Sequence, residues 1–136
     1  MAITYQVESQ ITVQEFIEVL QNSTLAERRP IEDLGRMQKM LDYANLIVTA
    51  RDNGKLIGVG RAMTDYAFCT YLSDLAVDAA YQKMGVGKEL LRLAKKQTPQ
   101  AKLILLAAPK AVDYYPKIGM SQWEKCFYLD EVEDLI

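Results

Sequence analysis

The spacing of apolar positions changes along the chain, and the changes divide it into elements. Thr4 to Val7 reads as a short first strand. Thr12 and Glu15 have the spacing of a capping box, which predicts a helix from there to about Gln21. Ser23 to Pro30 reads as a loop. Pro30 with Glu32 and Asp33 suits a second helix start, and Leu34, Met37 and Leu41 carry helical spacing to about Ala44. Leu46–Arg51 and Lys55–Met63 flank the turn signal Asp52-Asn53-Gly54 and predict a hairpin. Ala67 to Val77, rich in aromatic and β-branched residues, predicts another strand. Gly85 to Gln97 is helical, with Val86, Leu90, Leu93 and Ala94 on one face.

The run Lys102–Ala108 is expected to be a strand covered on both faces. A short helix from about Pro109 should end at Gly119, and Met120–Leu129 should form a terminal strand or tight hairpin. The strand–helix–strand unit from Ala67 to Ala108 implies a crossover between parallel strands, while the earlier hairpin adds antiparallel neighbours. The expected fold is a mixed, twisted α/β sheet. With no internal repeat, low-complexity tract or linker, residues 1–136 read as one domain.

Composition narrows the chemistry. Sixteen basic against 18 acidic residues leave no basic excess that would point to nucleic acid or an anionic membrane. The longest purely apolar run, Leu103–Ala108, is far short of a membrane span, and the N-terminus lacks a signal-peptide pattern, so the expected location is the cytoplasm. Cys69 and Cys126 are expected to be reduced, buried small hydrophobes. The chain has no histidine, which removes a Ser-His-Asp triad, a Cys-His dyad and any His-ligated metal site; no metal is expected. Chemistry must then come from carboxylates, tyrosines, lysines, backbone groups or a cofactor.

The segment Leu72 to Leu91 runs from an apolar strand through a short turn into two glycines and an amphipathic helix. That order presents a helix N-terminus whose free N–H groups and positive dipole end favour phosphate. Gly85 and Gly87 allow close backbone approach, and Lys83 and Lys88 add charge. A P-loop is excluded because Glu89 follows Gly87-Lys88. A dinucleotide fingerprint is excluded because Leu90 stands where its third glycine would be. Gly58-Val59-Gly60 lies within the hairpin and reads as a packing or bulge feature.

Gln82-Lys83-Met84-Gly85-Val86-Gly87 resembles the Gln/Arg-x-x-Gly-x-Gly/Ala signature of the GCN5-related N-acetyltransferase (GNAT) family. Ala111-Val112-Asp113-Tyr114-Tyr115-Pro116-Lys117-Ile118-Gly119-Met120 resembles that family's tyrosine segment, one predicted strand downstream. The resemblance implies a single-domain, mostly antiparallel sheet with a central splayed parallel strand pair and flanking helices. It implies acetyl-CoA as cosubstrate, with its pantetheine arm on backbone groups of Leu75 and Val77. The pyrophosphate would sit on amides from Gln82, Lys83, Met84, Gly85, Val86, Gly87 and Lys88.

Tyr115 matches the family tyrosine placed near the cofactor sulfur and would act as general acid, with Tyr114 able to exchange roles. Asp74 is a candidate base, or else a strand carboxylate bonded to a neighbouring loop. Tyr71, with Tyr66 and Phe68, either lines the acceptor cleft or belongs to the core. Arg28 and Arg29 lie in a loop that shapes the acceptor site in the family; they either hold an anionic group of the acceptor or form a solvated pair. Ala108 departs from an Asn that the family often carries there. The implied activity is direct acetyl transfer to a primary amine of a small molecule or protein, and a homodimer is possible. The alternative is a non-catalytic CoA-binding sensor or interaction module.

Overall fold

The structure, a computed structural model, describes residues 2–136. It divides into two compact units, Met1–Leu106 and Ala107–Ile136, which are described in turn.

The first unit is a five-stranded sheet with three helices. Its strands are β1 (Ile3–Val7), β2 (Leu46–Asp52), β3 (Lys55–Thr64), β4 (Cys69–Val77) and β5 (Lys102–Ile104), lying side by side in that order. The pairs β1–β2, β2–β3 and β3–β4 are antiparallel, and β4–β5 is parallel. Helix α1 (Val13–Ser23) begins with the predicted capping box. Thr12 accepts from the Glu15 amide, and the Glu15 carboxylate accepts from the Thr12 amide. Helix α2 (Leu34–Asp42) starts later than Pro30 suggests. Asp33 is its N-cap and accepts from the Arg36 amide, so Pro30 and Glu32 lie outside the helix.

Phe16, Val19 and Leu20 of α1 and Met37 and Leu41 of α2 form one core with Ile47, Leu56, Val59 and Ala76 of the sheet. Helix α3 (Val86–Gln97) buries Val86, Leu90, Leu91 and Ala94. A Cβ on Gly58 would meet Leu90 Cδ1 and Val86 Cγ1 at 3.1 Å. The next residue, Val59, belongs to the α1–α2 core. Successive strand residues face opposite sides, so α3 covers the face away from α1 and α2. The glycine motif in the hairpin is therefore a packing feature: it lets α3 approach the sheet.

Three expectations need correction. The strand after α3 spans only Lys102–Ile104 and is not covered on both faces, since Ile104 and Leu106 are more than half exposed. Its apolar run outlasts its pairing. Strand β4 begins at Cys69, and Tyr66 and Phe68 are exposed loop residues rather than core. Cys69 and Cys126 are both exposed free thiols. No helix among the described residues is long and apolar enough to cross a membrane.

The second unit contains a 3-10 turn (Pro109–Ala111) and a short helix α4 (Tyr114–Lys117). Gly119 at φ 105° ends α4 as predicted, with its N–H on the Pro116 carbonyl and the Met120 N–H on the Tyr115 carbonyl, a Schellman closure. No strand forms over residues 120–129, contrary to expectation. Without it, β5 is the last strand in the sheet, and the parallel pair stands at the sheet edge.

Candidate functional site

Strand β4 carries a bulge. Arg61 pairs with Asp74 while Ala62 pairs with Leu72, so Ser73 is the extra residue. The parallel pairing with β5 involves only Cys69, Thr70 and Tyr71. From Leu72 to Val77, β4 has no strand partner on that side among the described residues.

The direction of the free backbone groups follows from the pairing on the other side. The Asp78 N–H donates to the Ile57 carbonyl at 2.8 Å. Residues in an antiparallel ladder alternate between facing the neighbour and facing away. Ala76 therefore faces β3, and the N–H and C=O groups of Leu75 and Val77 face the unpaired side. The Gln82 side-chain amide reaches that side and donates to the Val77 carbonyl at 3.1 Å.

After β4 the chain makes a 3-10 turn (Ala79–Tyr81), whose start is capped by Asp78 Oδ1 accepting from the Ala80 amide. It then enters an exposed loop, Gln82–Gly85. Lys83 and Gly85 have φ of 67° and 79°. Gly85 is the N-cap of α3, and no side chain caps the helix there. The first N–H groups of α3 are thus left without helical acceptors and with no side-chain substitute. The surrounding chain contributes the two lysine charges of Lys83 and Lys88. This arrangement fits a diphosphate-bearing ligand with an amide-containing arm: the anion on the helix start, the arm along Leu75 and Val77.

The face of the sheet that carries α1 and α2 holds a buried ion cluster. Asp74 is fully buried. Its Oδ1 accepts from Arg29 Nε at 2.5 Å, and its Oδ2 accepts from Arg61 Nε. Arg29 also donates to the Ser73 carbonyl at 2.7 Å, and Arg61 to Ser73 Oγ at 3.0 Å and the Met40 carbonyl at 3.2 Å. The cluster therefore joins the 3-10 turn Leu25–Arg28 and its following residue to both strands at the bulge.

This arrangement speaks against Asp74 as a base. Each of its oxygens is held by a guanidinium, and no surface gives an amine access to it. The carboxylate bonds a neighbouring loop, the other reading its sequence allowed. Arg29 is likewise engaged in the cluster, its remaining nitrogen donating to the Arg28 carbonyl at 2.8 Å. Arg28 is exposed, whereas Arg29 is only partly so. Tyr71 pairs with Met63, on the same face as Arg61. Arg61 itself escaped the sequence reading. An arginine amid the apolar hairpin run Leu56–Met63 was the available signal.

Tyr114 and Tyr115 belong to the second unit, with rings 5.3 Å apart in an edge-to-face arrangement. Burial, and then the neighbouring Tyr114, push the Tyr115 phenol up from its ordinary value, so it carries its proton at neutral pH.

The sequence profile of the acetyltransferase (GNAT) family matches residues 13–120, which takes in the Gln82–Gly87 motif and the tyrosine segment. The chain belongs to the GNAT family. Among similar sequences, an uncharacterized N-acetyltransferase of Pyropia yezoensis is 28% identical over 96 residues, covering 68% of this chain and 55% of its own length. The chloroplastic GCN5-related N-acetyltransferase 2 of Arabidopsis thaliana is 38% identical over 68 residues, 48% of this chain and 26% of its own length. The chain thus spans about half or less of these curated relatives. A GNAT-family acetyltransferase structure from Streptococcus pneumoniae superposes with a TM-score of 0.72 at 20% identity, covering 96% of this chain and 98% of that one. At that identity the likeness speaks for the GNAT fold: a mixed sheet with one parallel pair and flanking helices.

Proposed function

We propose that this GNAT protein moves an acetyl group from acetyl-CoA directly to a primary amine of a small molecule or protein. The observation that carries this reading is the continuity of two backbone surfaces. The outward-facing groups of Leu75 and Val77 lead through one short turn into the uncapped start of α3. A linear amide-bearing ligand that ends in a diphosphate matches both, and acetyl-CoA has that shape.

Bound acetyl-CoA would supply an activated thioester. The chain's part is to hold it and to manage charge. The amides from Gln82 to Lys88, with Lys83 and Lys88, would neutralise the diphosphate. The amide of Val77 would polarise the carbonyl under attack. Holding both reactants on one strand would supply much of the rate. Tyr115, protonated at neutral pH, suits the general acid that protonates the departing thiolate. With Asp74 held by two arginines, the acceptor amine would enter already neutral. Placement in the cytoplasm remains part of this proposal.

The absence of a free carboxylate at Asp74 favours one other reading, a non-catalytic CoA-binding module. One experiment separates them. Calorimetry with acetyl-CoA tests the cofactor site, and thiol release across a panel of amines tests turnover. Binding with turnover supports the enzyme; binding without turnover for any amine supports the module; no binding rejects both.

A further inference from the structure

The loop that opens α3 has a demanding shape. Lys83 holds a left-handed φ of 67° without being glycine, and Gly85 follows at 79°. Residues 82–85 are all exposed, so packing does not impose this shape. A strained backbone persists only where its surroundings restrain it. Two of the restraints are local. Tyr81 donates its N–H to the Asp78 carbonyl at 2.8 Å, and Gln82 reaches back to Val77.

The third crosses the molecule. The Tyr81 hydroxyl donates to Asp52 Oδ2 at 2.6 Å, a contact between residues 29 positions apart. Asp52 is the last residue of β2, at the hairpin turn, in register with Lys55 on β3 and Ile3 on β1. The tyrosine thereby ties the residue just before the loop to the end of β2.

As a device for stability alone this pair is poor. Asp52 Oδ1 is buried and accepts no hydrogen bond among the described residues. A buried carboxylate oxygen left unpaired costs free energy that a single hydrogen bond hardly offsets. Groups that break the rule of polar satisfaction concentrate where geometry serves function. An anion cradle made of backbone amides has such a need, because each amide left mobile must be ordered when the ligand binds.

We propose that Tyr81 and Asp52 form a positioning latch that holds the Gln82–Gly85 loop at the start of α3 in its diphosphate-binding shape, so that the pair sets affinity for CoA without touching it. The inference rests on the reading of that loop as the CoA site, and the test separates the two. Tyr81→Phe removes the hydroxyl and keeps the ring. Asp52→Ala removes the acceptor, and Asp52→Asn keeps an oxygen in its place.

Calorimetry with CoA should show Kd rising about tenfold in Tyr81→Phe, the scale of losing one hydrogen bond to a charged group. Asp52→Ala should match it, and the double variant should be no weaker than either single one, because both remove the same interaction. Asp52→Asn should retain most of the affinity. If the wild type binds acetyl-CoA and turns over, kcat at saturating acetyl-CoA should stay unchanged while its KM rises. In the ligand-free protein, backbone order parameters at Lys83 to Gly85 should fall in Tyr81→Phe while those of β2 and of α3 beyond its first turn hold.

Wild-type affinity in Tyr81→Phe overturns the latch, as does additivity in the double variant. Should the wild type not bind CoA, the functional reading fails by itself. The order parameters then decide the latch, and an unchanged loop overturns it.

Discussion

Arg29 donates from Nε to Oδ1 of Asp74 at 2.5 Å across 45 positions of sequence, which pins the turn after α1 to the bulge in β4. Arg61 holds the other oxygen. The two arginines give both oxygens of a carboxylate with no exposed surface a partner at the point where the strand changes register.

Asp74→Ala should therefore act on stability. Removing one partner from a buried ion pair leaves the others uncompensated and costs about 3–5 kcal/mol. Denaturant unfolding should show the loss as a lower midpoint. A catalytic base would behave differently, with turnover lost and the midpoint kept, and that result would restore Asp74 to the mechanism. Arg29→Ala should follow Asp74→Ala in stability. Arg28→Ala should change stability by no more than about 0.5 kcal/mol, as for an exposed surface residue.

At the start of α3 a side chain would be forced into a left-handed backbone. No atom stands within 4 Å of a Cβ placed on Gly85, so the cost is conformational rather than steric, at φ 79°. Gly85→Val should lose about 1–2 kcal/mol of stability from the strained backbone, and CoA binding with it. Calorimetry showing unchanged affinity in a folded Gly85→Val protein would remove this turn from the cofactor site.

Tyr115→Phe should lower turnover by about 10²-fold or more, the usual scale for general acid catalysis, with acetyl-CoA affinity nearly unchanged. Burial raises the phenol above the ordinary 10.0, so an activity that needs its proton is present below that value and lost only above it. A pH–rate profile should show no decline from this group at neutral or mildly alkaline pH. Equal rates in the two proteins by thiol release would pass the role to Tyr114.

Acid should loosen the sheet through carboxylates that are not part of the candidate site. The amides of Phe68, Ala67 and Cys69 hold the Asp65 carboxyl down to about 2, against an ordinary 3.8. Burial works to raise Glu8 and Glu15, but hydrogen bonds from Arg51 and others outweigh it, and both lie below the ordinary 4.5. Folded-state values below the unfolded ones mean that the stabilisation is complete above about pH 5 and is lost as pH falls through the lowered values. Melting temperature followed against pH should decline over that window. Asp65→Asn should flatten the lower part of the decline. A decline unaltered in Asp65→Asn would show that the turn amides do not favour the ionised carboxyl.

Elements whose signals lie within a few residues could be read directly from the chain. The capping box of α1 needs only Thr12 and Glu15, and the Schellman end of α4 needs only Gly119 in the right place. The order of strand, glycine turn and helix from Leu72 to Leu91 likewise places the helix start by itself, because hydrophobic period and glycine conformation are local properties. The ends of β5 and the fate of residues 120–129 were not so legible. An apolar run records the capacity to pair, while pairing depends on which strand lies beside it. The same limit governed Asp74. Its sequence allowed a base or a structural carboxylate, and the arrival of Arg29 and Arg61 from distant segments, which favours the second, is a tertiary event. Tyr81 and Asp52 carry no shared local pattern at all. Their contact exists because the sheet brings the hairpin end beside the turn, and long-range contacts of that kind are set by topology rather than by any neighbouring residue.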